Sequence, residues 1–156
     1  VIEAISEVRV EIPSIKLFVL GDGPEYQSLI ELSRNLGVEE SVKFISFVND
    51  MPAFYQLLSV HVHVPINKYV ETFGLTVLEG KVSGLCQILT LSGCVGDLKV
   101  KEEVVEFRDK HGVAKLLLQC YNSPISQARY VESVGDYFLN YSNKVSAYLS
   151  IYEENK

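Results

Sequence analysis

Several signals that would assign a function quickly are missing from these 156 residues. No apolar run approaches the roughly 20 residues that a membrane-spanning helix needs, and the chain does not open with the layout of a secretory leader. Basic residues do not dominate, since Lys plus Arg is 14 against 20 Asp plus Glu, a formal net charge of −6. That balance argues against a general nucleic-acid surface, which needs a basic stripe. It leaves room for one local phosphate site built from backbone amides. Cysteine is sparse: Cys86, Cys94 and Cys120 are odd in number and lack CxxC spacing. They read as buried or incidental thiols in a reducing compartment rather than as a disulfide or a zinc set. Neither a GxSxG elbow nor a P-loop occurs.

What is present is ordinary globular composition, 47% hydrophobic and 22% charged, and a length suited to one domain over 1–156. Val1, Ile5, Val8 and Ile12 recur at helical spacing and run into Pro13. From there apolar strands alternate with helices. Strands are expected at Lys16 to Leu20, Val42 to Val48, Val60 to Pro65, Gln87 to Thr90 and Val104 to Phe107. Helices are expected after Pro24 up to Gly37, at Met51 to Leu58, at Gly74 to Ser83, and in a tail from about 110 (Val113 to Tyr121, Ala128 to Tyr141, Ser142 to Tyr152). The fold class is therefore α/β, a Rossmann-like doubly wound parallel sheet with helices on both faces. Such a domain normally opens with a strand, and this chain opens with a helix. The expectation is a fragment of a longer protein, cut after its first strand.

In open parallel sheets ligands bind beyond the carboxyl ends of the strands, and three loops fall there. Gly21-Asp22-Gly23-Pro24 brings backbone amides close to a helix start, a setting for a phosphate or nucleotide ring as well as for a plain tight turn. Position 26 is Tyr, so the GxGxxG pattern is not met. Glu71-Thr72-Phe73-Gly74-Leu75 opens the helix carrying Glu79. There Leu75, Leu78 and Val82 form an apolar stripe whose fourth slot is Glu79. A carboxylate on a core-facing stripe is costly unless paired, so Glu79 is either an internal salt-bridge partner or an acceptor for ligand hydroxyls. Glu71 precedes the same helix, where a carboxylate is favoured by the dipole, and alone it reads as a cap. Thr90 to Asp97 either lines a pocket or turns the chain. His61 and His63 share one strand face, and with no carboxylate or Cys/His cluster at ligand spacing nearby they do not make a metal site.

These residues resemble the C-terminal, nucleotide-sugar-binding domain of GT-B glycosyltransferases of the large retaining family four. Lys16-Leu17-Phe18-Val19-Leu20-Gly21-Asp22-Gly23-Pro24-Glu25 is similar to the family's strand and "GDGPE" turn, and Val42 to Val48 to its "VxFLGxV" strand. Glu71-Thr72-Phe73-Gly74-Leu75 through Glu79 matches the E-x7-E motif, followed by Ser83-Gly84-Leu85 for "SGLPV". The E-x7-E is the specific part. Departures are Gly80-Lys81-Val82 within the usual "EAMA", Ser46 for a glycine, Cys86 for a proline, and Gly93 to Asp97 only loosely following "GGIPE".

The resemblance implies that the domain is the C-terminal half of a GT-B fold, lacking its first strand and, upstream, the family's phosphate-gripping Arg and Lys. It implies a catalytic position for Glu71 beside the donor sugar and a ribose-binding position for Glu79. Amides of Phe73, Gly74 and Leu75, with Thr72 in the same turn, would meet the diphosphate, and Gly21, Gly23, Ser46 and Phe47 would flank the base. The donor it implies is a nucleotide-diphosphate sugar, with no metal and no resident cofactor expected. A hexose would pass with retention to a glycan, lipid or small acceptor held by an N-terminal domain. Pro65 to Glu71, with Thr90 to Gly93, leans toward bacterial surface-polysaccharide members. The expected location is the cytoplasm or the cytoplasmic face of a membrane reached by peripheral association, with no nucleic-acid partner. The alternatives are a degenerate, non-catalytic nucleotide-binding or interaction domain, and a GT-B epimerase that cleaves a nucleotide sugar without an acceptor.

Overall fold

A computed structural model describes residues 1–97 and 104–122. The two tail helices expected at 128–141 and 142–152 lie outside the described residues. The elements run α1 (Ile2–Val8), β1 (Leu17–Leu20), α2 (Tyr26–Asn35), β2 (Val42–Ile45), α3 (Met51–Tyr55), β3 (Val60–His63), α4 (Leu75–Val82), β4 (Cys86–Leu89), a 3-10 turn (Gly93–Asp97) and α5 (Lys110–Asn122). Local chemistry sets several of these ends. Beyond α2, Gly37 takes a left-handed φ of 66°, and Val38 N–H donates back to the Ser33 carbonyl at 2.9 Å, closing the helix as a glycine stop does. At α3, the Asp50 carboxylate accepts from Ala53 N–H at 3.0 Å and Pro52 occupies the first turn, a capped start with a pre-set φ.

The strands pair in parallel as expected, but as two separate pairs rather than one continuous sheet. β1 lies beside β2, Leu17 opposite Val42 and Leu20 opposite Ile45. β3 lies beside β4, Val60 opposite Cys86 and His63 opposite Leu89. The strand expected at Val104 to Phe107 is reduced to a single parallel bridge between Val104 and Leu89. What joins the two pairs is a shared core. Leu17 of β1 and Val60 and Val62 of β3 pack on the same cluster, built from Ala4, Ile5 and Val8 of α1, Ile88 of β4, and Val113, Ala114 and Leu117 of α5.

The doubly wound character is clearest at β4, whose four residues are all buried. Ile88 points into the α1/α5 cluster, while Leu89 points into a second cluster with Val77, Leu78, Cys94 and Val95. Alternate side chains thus enter helical layers on opposite faces, as the two-residue period of a strand demands. Each of the two is fully buried, worth about 1.5–3 kcal/mol apiece. Cys86 at the start of β4 and Cys120 near the end of α5 are joined as a disulfide, while Cys94 is buried. This corrects the reading of all three as thiols. The partners are 34 residues apart, and only the packing of α5 against β4 brings them together.

α4 turns a different face to the core than its periodicity suggests. Its buried positions are Val77, Leu78, Gly80 and Lys81. Leu75 and Val82 are 65% and 60% exposed, and Glu79 is exposed with them. The reason is Gly80. A Cβ there would come within 2.7 Å of His61 Nδ1 and 2.8 Å of Gln87 Nε2, so the absent side chain lets α4 settle onto β3 and β4. An apolar stripe is a poor guide when a glycine and a lysine face inward beside Val77 and Leu78. Beneath Gly80, Gln87 Nε2 donates to the Val77 carbonyl at 2.8 Å and lies 3.1 Å from His61 Nδ1. Burial, with the neighbouring His63 as the lesser cause, pushes the His61 imidazole down to about 4.

Two expectations follow from this contact. Gly80→Ala gains up to about 1 kcal/mol of helix propensity but overpacks the seam at a typical cost of roughly 1–3 kcal/mol, so thermal unfolding is expected to show a lowered midpoint. A raised midpoint would contradict the packing. For His61, the unfolded chain binds the proton near 6.5 and the folded one near 4. The unfolded state therefore holds more protons between those values, and stability is complete above the upper value and falls as the pH drops through the window. Between pH 7.5 and 5.5 the protein should lose about 1 kcal/mol more than His61→Gln in denaturant unfolding. Equal losses would remove His61 as the cause.

Candidate functional site

The site is assembled around the turn that leads from β3 into α4. Gly74 is the residue before the first helical turn and adopts φ 85°, ψ 57°, a left-handed conformation that side chains resist. No side chain caps the helix there, so Glu71 is not the N-cap that its position suggests. Instead its Oε1 accepts a hydrogen bond from the Phe73 N–H at 3.3 Å, within its own loop. Its Oε2 lies 3.2 Å from His63 Nε2 at the end of β3. Glu71 is thus partly buried, hydrogen-bonded at one oxygen and close to the His63 ring at the other. The Leu75 and Thr76 amides of the first helical turn have no intrahelical acceptor by construction and carry the positive end of the dipole.

The loop after β4 supports this turn from behind. Cys94 N–H donates to the Phe73 carbonyl at 2.8 Å, and the Cys94 thiol lies 3.9 Å from the Gly74 carbonyl. At Gly93, φ 54°, a Cβ would come within 2.5 Å of the Phe73 carbonyl oxygen and 3.0 Å of Glu71 Cγ. Of the two readings left open for Thr90 to Asp97, the geometry gives a third: the loop is a brace, and its glycine is needed for close approach.

Glu79 stands one helical repeat beyond Glu71's turn, on the exposed face of α4. It is therefore not the core-facing carboxylate that the stripe implies. Its Oε2 accepts from the Tyr55 hydroxyl at 3.1 Å. Tyr55 is buried at the end of α3, and burial, then the Glu79 contact and charge, push its phenol up to about 12. The bond is therefore a neutral O–H held against a carboxylate.

Gly21, Gly23, Ser46 and Phe47 gather at the carboxyl ends of β1 and β2. Gly21, φ 113°, follows Leu20 and donates its N–H to the Ile45 carbonyl at 2.9 Å, and Ser46 follows Ile45 directly. No atom lies within 4 Å of a Cβ placed at Gly21 or Gly23, so this loop borders open space, and Phe47 in the next is 78% exposed. Thr72, Phe73 and Leu75 are exposed on the α4 turn, and Gly74 beneath them is buried. α3 connects the two groups: Phe54 meets Phe18 of β1 edge-on at 5.8 Å, and Tyr55 reaches Glu79. Sequence reasoning missed Tyr55, which no spacing marks, and passed over His63, which it weighed only as a metal ligand. Among the described residues no group of three His, Cys, Asp or Glu side chains is placed to hold a metal ion. No described helix is long and apolar enough to cross a membrane. A cavity of about 760 Å³ opens elsewhere, among Glu7, Glu11, Gln87, His111 and Cys120, and none of the residues selected from the sequence lines it.

N-acetyl-alpha-D-glucosaminyl L-malate synthase of Bacillus anthracis is 28% identical over 122 residues, 76% of this chain and 31% of that protein. This chain spans less than half the length of the curated relatives it matches. The solved C-terminal domain of the group 1 glycosyl transferase LpcC of Francisella tularensis superposes with a TM-score of 0.72 at 22% identity, covering 89% of this chain and 75% of that one. Anabaena HepE, solved in complex with UDP-glucose, gives 0.74 at 19% identity over 94% and 44%. These likenesses give the fold, the Rossmann-like C-terminal domain of GT-B glycosyltransferases with its parallel strands and two helical layers. The model of the family "Glycosyl transferases group 1" matches residues 1–134, and the chain belongs to that family.

Proposed function

We propose that the chain is the donor-binding half of an enzyme that moves a hexose from a nucleotide-diphosphate sugar, with retention and without a metal, to a glycan, lipid or small acceptor held by an N-terminal domain. Surface-polysaccharide synthesis at the cytoplasmic face of a membrane is the setting we favour. The observation that carries this reading is the Glu71 to Gly74 turn. A carboxylate is held beside the start of α4, uncapped by any side chain, and Glu79 is exposed eight residues on. Family membership supports the transferase chemistry, and neighbours solved with UDP or UDP-glucose support the donor class.

In this reading the bond between the anomeric carbon and the diphosphate oxygen breaks, the oxygen keeping the electron pair, while the acceptor hydroxyl oxygen bonds to the same face of that carbon and its proton passes to the departing diphosphate. Negative charge grows on the diphosphate, where the Gly74, Leu75 and Thr76 amides and the α4 dipole stabilise it. The Phe73 amide joins them once Glu71 releases it. Positive charge grows at the anomeric carbon, where Glu71 orients the sugar hydroxyls and stabilises the cationic side. Glu79, steadied by Tyr55, accepts from the ribose hydroxyls. Thr72 and the Phe73 side chain line the turn, and Gly21, Gly23, Ser46 and Phe47 flank the base.

Two substitutions separate the roles in the full-length enzyme. Glu79→Gln keeps the acceptor for Tyr55 but removes the charge, so calorimetry with nucleoside diphosphates should show affinity lowered roughly 10- to 100-fold, about 1.5–3 kcal/mol, with the melting temperature little changed. Wild-type affinity with a lower melting temperature would make Glu79 structural. Glu71→Gln should lower turnover by about 100-fold or more, some 2.7 kcal/mol of barrier, with donor affinity nearly unchanged. Unaltered turnover would return Glu71 to a loop-stabilising role, and a domain that binds donor without transferring it would be the non-catalytic relative.

A further inference from the structure

His63 stands outside the residues to which the proposed function assigns a role. It ends β3, on the same strand face as His61, and its ring lies between two groups of the site. Nδ1 is 3.4 Å from the Thr76 hydroxyl in the first turn of α4, and Nε2 is 3.2 Å from Glu71 Oε2. Nε2 is buried and its approach to Glu71 falls short of hydrogen-bond alignment, so a small rotation of either side chain completes the bond. One tautomer satisfies both ends, with the Thr76 hydroxyl donating to Nδ1 and Nε2–H facing the carboxylate. The His61 ring lies 6.2 Å away on one side, and Thr76 of α4 meets Nδ1. His61 is held neutral by burial and does not compete for Glu71 as a charge.

We infer that His63 is a positioning residue for the transfer reaction, fixing through Thr76 and Nε2 the direction in which the Glu71 carboxylate faces the donor sugar. The inference rests on the reading of Glu71 as the group beside that sugar. The Glu71 side chain has two further constraints, the Phe73 amide on Oε1 and Gly93, which approaches its Cγ. The first is given up when the Phe73 amide turns to the diphosphate, and the second stops at Cγ, so with donor bound His63 is the contact left to set the rotation of the carboxylate. A carboxylate turned from its productive angle loses its contact with the developing charge, which is where small misplacements cost the most rate.

A double-substitution cycle in the full-length enzyme decides the matter. His63→Leu should lower kcat about tenfold or more with the donor KM within about twofold. In a Glu71→Gln background the same change should have little further effect, because the group it positions is gone. His63→Gln, whose amide can still donate toward Glu71, should recover part of the loss. Unchanged kcat in His63→Leu overturns the inference, and so does an equal loss in both backgrounds, which marks a general packing role. Wild-type turnover in Glu71→Gln alone overturns the reading of Glu71 instead. Should His63→Leu not fold, His63→Asn, polar but too short to reach Glu71, takes its place with the same expectations.

Discussion

The structure depends on how closely one loop can approach another at the carboxyl ends of β3 and β4. Two left-handed glycines make the approach. Gly74 turns the chain into α4, and Gly93 allows the next loop to lie against the Phe73 carbonyl. Cys94 then ties that carbonyl down by its amide. A side chain at Gly93 would strike backbone rather than a movable side-chain tip, so the brace has no soft alternative. Everything proposed for the site follows from this contact, because it holds Glu71 at the opening of α4 while the helix end itself stays uncapped.

A second seam, on the opposite side of α4, sets the height of the helix above the strands. Gly80 rests on His61 and Gln87, so the residues that face outward are Leu75, Glu79 and Val82 rather than the ones a simple stripe assigns. This makes Glu79 accessible to a ligand and leaves Tyr55 to steady it. Two glycines a helix length apart, one opening α4 and one seating it, thus fix where both carboxylates stand. A glycine inside a helix normally weakens it, and here that weakness is offset by a contact only glycine permits.

Much of this was legible in the residues, and what was not had a common cause. Strand and helix alternation, the glycine stop at Gly37 and the Glu71 to Glu79 spacing are local in sequence, and the folded chain bears out the elements that rest on them. Apart from Glu71, which bonds within its own loop instead of capping α4, the misreadings concern relations between distant segments. The Cys86–Cys120 bridge exists because α5 packs beside β4. The face of α4 is chosen by His61 and Gln87. The bond from Tyr55 to Glu79 crosses from α3 to α4, and the separation of the strands into two pairs depends on which edges meet. None of these leaves a periodic trace. The HxH pair was visible and was weighed as a metal site, whereas its members divide their tasks, His61 lying under Gly80 and His63 reaching Glu71.

The most direct measurement of the central claim is a crystal structure of this protein with a nucleotide-diphosphate sugar bound. The account predicts the diphosphate against the Gly74 and Leu75 amides at the start of α4, the sugar beside Glu71, and the ribose hydroxyls on Glu79. A nucleotide seated elsewhere, with the Glu71 carboxylate still engaged by Phe73 and the α4 opening vacant, would contradict it.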